Sequence, residues 1–182
     1  VRMLSLTRQE DIREAIYMLR VRGAPAIGVA AAIGMYLAAL KIEAQTYDEF
    51  YAKFMPAKAF LASARPTAVN LFWALDRMEH VVLVNRGKTV EEIRRLLHDE
   101  AVAIREEDID VCRRIGENGL TLLHSGCGIL THCNAGQLAT ARYGTALAPI
   151  HLGRERGWNF RVFCDETRPL LQGARLSAYE LS

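Results

Sequence analysis

A thiol between an imidazole and an amide, His132-Cys133-Asn134, ends the short apolar run Gly128–Thr131 and precedes the small turn Ala135-Gly136. These residue types, in this order, read as a strand, a tight turn and an alanine-rich helix, with a sulfur at the carboxyl end of the strand. Ligands of open α/β sheets bind in the crevice outside the carboxyl ends of strands, and the start of a helix favours negative charge such as a phosphate. A thiol at a helix N-terminus beside an imidazole has a lowered pKa and is a nucleophile. In an apolar pocket the same thiol stays neutral and can donate a proton, and sequence leaves both chemistries open. The blander reading of Cys133 is a small buried hydrophobe, common for free cysteine. Adjacent residues of an extended chain face opposite sides, so His132 is expected to look away from the thiol. Asn134 is expected to hold the turn.

Three further segments carry groups that could meet a ligand. In VRGAPAIG, Val21 to Gly28, Arg22 precedes Gly23-Ala24-Pro25 at a helix start, where a guanidinium and free backbone N–H groups suit a phosphate. The same turn also reads as an ordinary connection between helices. In ARPTAVNLFWALDRM, Ala64 to Met78, Arg65 stands before Pro66 at another helix start, where a solvated arginine is the plain alternative. In DETRPLLQGARL, Asp165 to Leu176, Asp165 should fall at the end of a second strand, level with Cys133 on the neighbouring one. Gln172 and Arg175 would lie about two turns into the next helix. Asp165, Glu166 and Arg168 are ligand groups or only caps and surface charges.

The elements that must position these groups are legible in outline. Threonine with glutamate three residues on, the capping-box arrangement, occurs at Thr7/Glu10, Thr46/Glu49 and Thr89/Glu92. The first helix places Ile12, Ala15, Ile16 and Leu19 on one face and ends near Arg22-Gly23. The second, Ala24–Leu40, is apolar all round and should be enclosed by other helices. Pro25 suits its first turn, and Gly28 and Gly34 would let neighbours approach. It is short for a membrane span and diluted by alanine and glycine, so a buried core helix is expected, with no membrane partner. The third helix starts at Tyr47 and should kink or split at Pro56. The fourth opens at Arg65-Pro66-Thr67, carries Val69, Leu71, Phe72, Leu75 and Met78, and stops before Asn85. The fifth runs from Val90 to about Ile115, with Glu91 placed to pair with Arg94 or Arg95. Beyond Gly116 the pattern changes to a strand over 126–131, a helix from Gln137 to Arg156 and a strand over 160–164. That is a βαβ unit with a right-handed crossover and parallel strands. A last helix is expected from Arg168-Pro169 to the end.

The fold class is therefore α followed by α/β. An all-helical N-terminal domain over residues 1–119 precedes the first part of a parallel α/β domain over 120–182. Parallel sheets normally have both faces covered and more than two strands, so the chain is expected to end inside a domain. Hydrophobic residues make up 51% and charged ones 24%, which suits a soluble protein with a real core. The net charge of +2 gives no argument for nucleic acid. Four cysteines, Cys112, Cys127, Cys133 and Cys164, lack the spacing of a zinc ribbon or a thioredoxin-type motif. They read as free thiols of a reducing, cytoplasmic compartment. No signal peptide is visible in the sequence given. No nucleotide cofactor is expected, because Gly126-Cys127-Gly128 precedes its strand instead of following it. No metal is expected either, since the five histidines are scattered.

RGAPAIG, RPTAVNLFWALDRM, ILTHCNAG and DETRPLLQGARL, in this order and spanning about Asp11 to Ser182, resemble the methylthioribose-1-phosphate isomerase family of the initiation-factor-2B-like superfamily. The resemblance implies a helical N-terminal domain, a Rossmann-like C-terminal domain and a homodimer. It implies conversion of the aldose 5-methylthioribose 1-phosphate to the ketose 5-methylthioribulose 1-phosphate in methionine salvage. It makes Cys133 the catalytic thiol, and Arg22, Gly23, Ala24, Arg65 and Gln172 the residues that hold the substrate, chiefly its phosphate. It places a partner aspartate on a later strand, beyond Ser182, so these residues alone are expected to be inactive. Arg142 departs from the family pattern, which more often has a small residue there. Three alternatives stand beside this reading. One is a ribose-1,5-bisphosphate isomerase of the same superfamily, disfavoured by the whole-segment match of RPTAVNLFWALDRM. Another is a non-catalytic regulatory subunit like those of the eukaryotic exchange factor for translation initiation factor two, disfavoured by the intact thiol. The third is a thiol redox protein, which would need a Cys127–Cys133 disulfide.

Overall fold

The computed structural model describes residues 3–182, which form seven α-helices and two short parallel strands. Five of the helices precede the strands, in line with the α then α/β reading. The chain divides into two compact units, one ending at Arg105 and the other running Glu106–Ser182.

The first unit is helical: α1 (Gln9–Tyr17), α2 (Ala24–Lys41), α3 (Tyr47–Ala62), α4 (Val69–Val84) and the first half of α5 (Val90–Leu120). By length and composition α2 would pass for a membrane span. Here Ile27, Ala31, Ala32, Met35 and Ala39 are buried among α1, α3 and α4. Small residues let those helices approach. A Cβ at Gly34 would lie 3.1 Å from Leu61 Cδ1, and one at Gly28 would lie 3.1 Å from the Asn70 carbonyl oxygen. Phe50, Phe54, Leu61, Leu71, Leu75, Met78, Ile93 and Leu97 are fully buried around this centre. Burial of each such side chain contributes about 1.5–3 kcal/mol.

Several local expectations are corrected. Capping boxes form at Thr46/Glu49 and Thr89/Glu92, but not at Thr7/Glu10. There the N-cap is Arg8, so Glu10 falls at the second helical position instead of the third. Arg8 pairs with Asp11 at 3.1 Å instead. Helix α1 stops at Tyr17, so Leu19 leaves the inner face. It takes a left-handed φ of 58° and is 38% exposed, while Arg20 and Val21 N–H both bond to the Ala15 carbonyl. That is the usual way of satisfying the last carbonyls of a helix. Helix α3 is not split at Pro56, because Phe50 and Phe54 before the proline and Leu61 after it are locked in one core. Arg65-Pro66-Thr67 forms a turn before α4 instead of its first turn, closed by Ala68 N–H to Arg65 O at 3.1 Å. A residue ahead of proline avoids the helical region. Val69 and Phe72 are exposed, and Ala74 and Val82 complete the inner face with Leu71, Leu75 and Met78. The expected pair of Glu91 with Arg94 forms at 3.3 Å.

In the second unit β1 (Gly128–Thr131) pairs in parallel with β2 (Arg161–Cys164), from Gly128 opposite Arg161 to Thr131 opposite Cys164. Helix α6 (Ala148–Glu155) connects them, and α7 (Ala178–Leu181) follows. Helix α5 continues well past Ile115 to Leu120. Gly116 and Gly119 do not terminate it; they are where α6 packs, since added Cβ atoms would lie 2.5 Å from Leu152 Cδ1 and 2.4 Å from Pro149 Cγ. The helix expected from Gln137 to Arg156 exists only in its second half. Residues 140–147 form turns, with Tyr143 and Gly144 at φ of 70° and 81°. The last helical segment also begins late. A π-helical turn, Gly173–Ser177, leads into α7, after Thr167 and Leu171 take left-handed φ values.

Candidate active site

Cys133 lies two residues past β1 with φ of 61°. For a residue other than glycine that conformation costs about 1–3 kcal/mol and persists only where the surroundings impose it. Two contacts do so. Ser177 Oγ donates to the Cys133 carbonyl at 2.6 Å, and Cys133 Sγ donates to Gln172 Oε1 at 2.9 Å. Gln172 stands immediately before the π-helical turn, not two turns into a helix. Its place is set by Gly173, where a Cβ would lie 1.5 Å from the Asp165 carbonyl oxygen. The thiol opens on a cavity of about 400 Å³, lined by His132, Cys133, Thr167, Arg168, Leu170 and Gln172 among others. That is within the size range of small-molecule sites.

Asp165 is not paired with the thiol. Its N–H bonds to the Thr131 carbonyl at 2.9 Å, one step past the strand pairs, and its Oδ2 lies 3.2 Å from His132 Nδ1. His132 is exposed and lines the cavity together with Cys133, because the left-handed backbone at Cys133 ends the alternation of the strand, and Asp165 pairs with the imidazole there. Glu166 is exposed, and Arg175 is spent on the Leu170 carbonyl at 3.1 Å. Arg168 brings a positive charge to the cavity.

No long helix begins after Cys133. Gln137–Ala139 is a single 3-10 turn, and the Gln137 and Leu138 N–H groups are taken by the Glu180 carboxylate at 2.6 and 3.1 Å. The helix-terminus argument for lowering the thiol pKa and for holding a phosphate therefore fails at this point. Burial raises the Glu180 pKa, but bonds from His151, Asn134, Leu138 and Gln137 outweigh it and hold the carboxyl below its usual range. Asn134 does more than turn the chain: its Nδ2 donates to Ser177 Oγ at 3.1 Å and to Glu180 Oε1 at 2.9 Å. Ser177 and Glu180 were not legible as site residues. Their one signal is a three-residue spacing that puts both on one helix face.

The other thiols are differently placed. All four cysteines are free. Cys112 is buried, and burial followed by the nearby Asp108 charge pushes its thiol up to about 11. Burial, then Asp165, also raises Cys164. Among the described residues no group of three or more His, Cys, Asp or Glu is placed to hold a metal ion.

In the first unit Gly23, at φ of 88°, is the N-cap of α2 and offers no side chain to its free N–H groups. Arg22 before it is half-buried, as is Arg65 in the turn before α4. The contact of Gly28 with Asn70 brings the N-terminal ends of α2 and α4 together. The Arg22-Gly23-Ala24 and Arg65 turns thus lie at the same end of one helix pair.

Helices followed by a parallel βαβ unit, with a thiol presented on a cavity at the carboxyl end of its first strand, define an α then α/β protein. The chain belongs to the initiation factor 2 subunit family, which it matches over residues 20–182. It is 66% identical over 180 residues to a methylthioribose-1-phosphate isomerase of Symbiobacterium thermophilum, covering 99% of this chain and 50% of that protein. It is 54% identical over 180 residues to a 5-deoxyribose 1-phosphate isomerase of Petrotoga mobilis, covering 99% and 52%. The crystal structure of 5-methylthioribose 1-phosphate isomerase from Pyrococcus horikoshii superposes with a TM-score of 0.93 at 43% identity, over 99% of this chain and 51% of that one. The chain spans about half the length of the relatives it matches.

Proposed function

We propose that the whole protein is a sugar-phosphate aldose–ketose isomerase, converting 5-methylthioribose 1-phosphate to 5-methylthioribulose 1-phosphate in methionine salvage. Similarity to the isomerases above supports the reaction class. The phosphate sits on the anomeric oxygen of such a substrate, so the ring cannot open by simple hemiacetal reversal. The ring oxygen needs a proton as its bond to C1 breaks, and hydrogen must move from C2 to C1. One acid and one base are wanted at opposite ends of the reacting unit.

The observation that carries the reading is the placement of the Cys133 sulfur on the cavity past β1, 2.9 Å from Gln172 Oε1. A thiol that keeps its proton can donate to an acceptor so placed, and the proposal assigns Cys133 this acid role. A substrate ring oxygen in place of the amide oxygen would be the proton's acceptor. Arg22, Gly23, Ala24, Arg65 and Gln172 are proposed to hold the substrate, chiefly its phosphate. The uncapped start of α2 supports this for the first three. The second acid–base group, by the family resemblance, is an aspartate on a later strand, and the protein is proposed to work as a cytoplasmic homodimer.

The test is to incubate the whole protein with 5-methylthioribose 1-phosphate and follow the C2 carbonyl by carbon-13 NMR. 5-Deoxyribose 1-phosphate and ribose 1,5-bisphosphate serve as competitors. Formation of the ketose, with the methylthio sugar preferred over the bisphosphate, is expected. Absence of ketose from every sugar would overturn the proposal.

A further inference from the structure

We propose that Ser177 and Glu180 are positioning residues for the Cys133 thiol, holding the Cys133 carbonyl and the turn that follows it so that the sulfur faces its acceptor. The inference rests on the reading of Cys133 as the proton donor.

The strained residue has no support from regular structure. It follows the strand and precedes only a 3-10 turn. What holds it comes from one short stretch of chain, Gln172 to Glu180. Ser177 is fully buried and anchors the Cys133 carbonyl at 2.6 Å. Three residues on, Glu180 gathers the turn after the thiol. It accepts from Asn134 Nδ2 at 2.9 Å, Gln137 N–H at 2.6 Å and Leu138 N–H at 3.1 Å. Its carboxylate lies against the bare backbone of Gly136, where a Cβ would come 2.0 Å from Oε2. The Glu180 side chain is only 5% exposed, and His151 of α6 faces it from the other side, Nε2 to Oε2 at 3.5 Å. Asn134 closes the ring by donating to Ser177 Oγ as well.

A helix cap would need one acceptor for one or two N–H groups. Here two side chains on one helical face hold the carbonyl of a residue in a disfavoured conformation and the turn that follows it. The same segment supplies Gln172, the partner of the thiol hydrogen. Sulfur, acceptor and clamp therefore move together. Displacement of a reacting group by about 1 Å can cost on the order of 100-fold in rate.

The test uses the whole protein with Ser177→Ala and the isosteric Glu180→Gln. Asp108→Ala is the control. It removes the acceptor for Ala141 N–H at the far end of the same loop, 2.7 Å, without touching Cys133. Each variant is checked for folding by near-ultraviolet circular dichroism and a melting curve. Two readouts follow: kcat separately from KM, and the pH profile of Cys133 alkylation by iodoacetamide, located by mass spectrometry. For both clamp variants kcat should fall about 10- to 100-fold with KM within about twofold, and the Cys133 alkylation profile should move. The Asp108 variant should shift neither, even when its melting point falls as far. Should Ser177→Ala fail to fold, Glu180→Gln decides alone, because it keeps shape and packing. Folded clamp variants that match the parent in both readouts, or a control that loses as much as they do, overturn the inference. If Cys133→Ser itself leaves turnover unchanged, it is the reading of Cys133 as the proton donor that fails instead.

Discussion

Cys133 Sγ lies 2.9 Å from Gln172 Oε1, with the thiol as donor. The contact links a residue past the first strand to one past the second, so the site exists only once the parallel pair has formed. It also predicts how the thiol responds to charge. Gln172→Glu keeps the shape and puts a carboxylate beside the sulfur. A like charge at that range disfavours the thiolate by about one pKa unit or more. The midpoint of Cys133 alkylation against pH should therefore rise in Gln172→Glu. An unchanged midpoint would show that the two side chains do not meet in solution.

The caps make a sharper test of the helical unit. Thr46→Ala and Thr89→Ala each remove an acceptor for a helix N-terminal N–H, at 3.3 Å in both cases. Each should cost about 1 kcal/mol in urea unfolding. Thr7→Ala should cost close to nothing, although the three sequences look alike, because α1 begins after Arg8.

Acid sensitivity should centre on Glu180. Its folded pKa lies below the ordinary glutamate value (about 4.3). A depressed carboxylate contributes stability that is fully present above the unfolded pKa and is lost as pH falls through the folded one. The second unit should therefore loosen below about pH 4.3, read by hydrogen exchange at the Gln137 and Leu138 amides. Glu180→Gln should be less stable at neutral pH and should lack this acid-dependent loss. Equal acid dependence in parent and variant would assign it to another group.

How far the sequence could be read depended on whether the deciding interaction was local. Helix α2, the two real capping boxes and both strands rest on composition and short spacing, and all are where those features put them. Leu19 and the Gln137–Arg156 stretch look helical by the same rules and are not. In the first, a left-handed residue closes α1 early. In the second, the turn at Tyr143-Gly144 keeps residues 140–147 out of helix. Gly116 looks like a helix end, yet it is the seat for Leu152. At the site, Cys133 and Gln172 were both legible, but their contact was not. Nor was the pairing of Asp165 with His132, which depends on strand register and on which way each side chain faces. The clamp of Ser177 and Glu180 on the thiol loop spans 44 residues for Ser177 and Cys133, a separation no periodicity reports.

The most direct measurement is kcat of the whole protein on 5-methylthioribose 1-phosphate before and after Cys133→Ser. Loss of a positioned acid costs about 10²- to 10⁴-fold, so kcat should fall by that factor with little change in KM and an unchanged melting point. A folded Cys133→Ser protein that turns over at the parent rate would contradict the account.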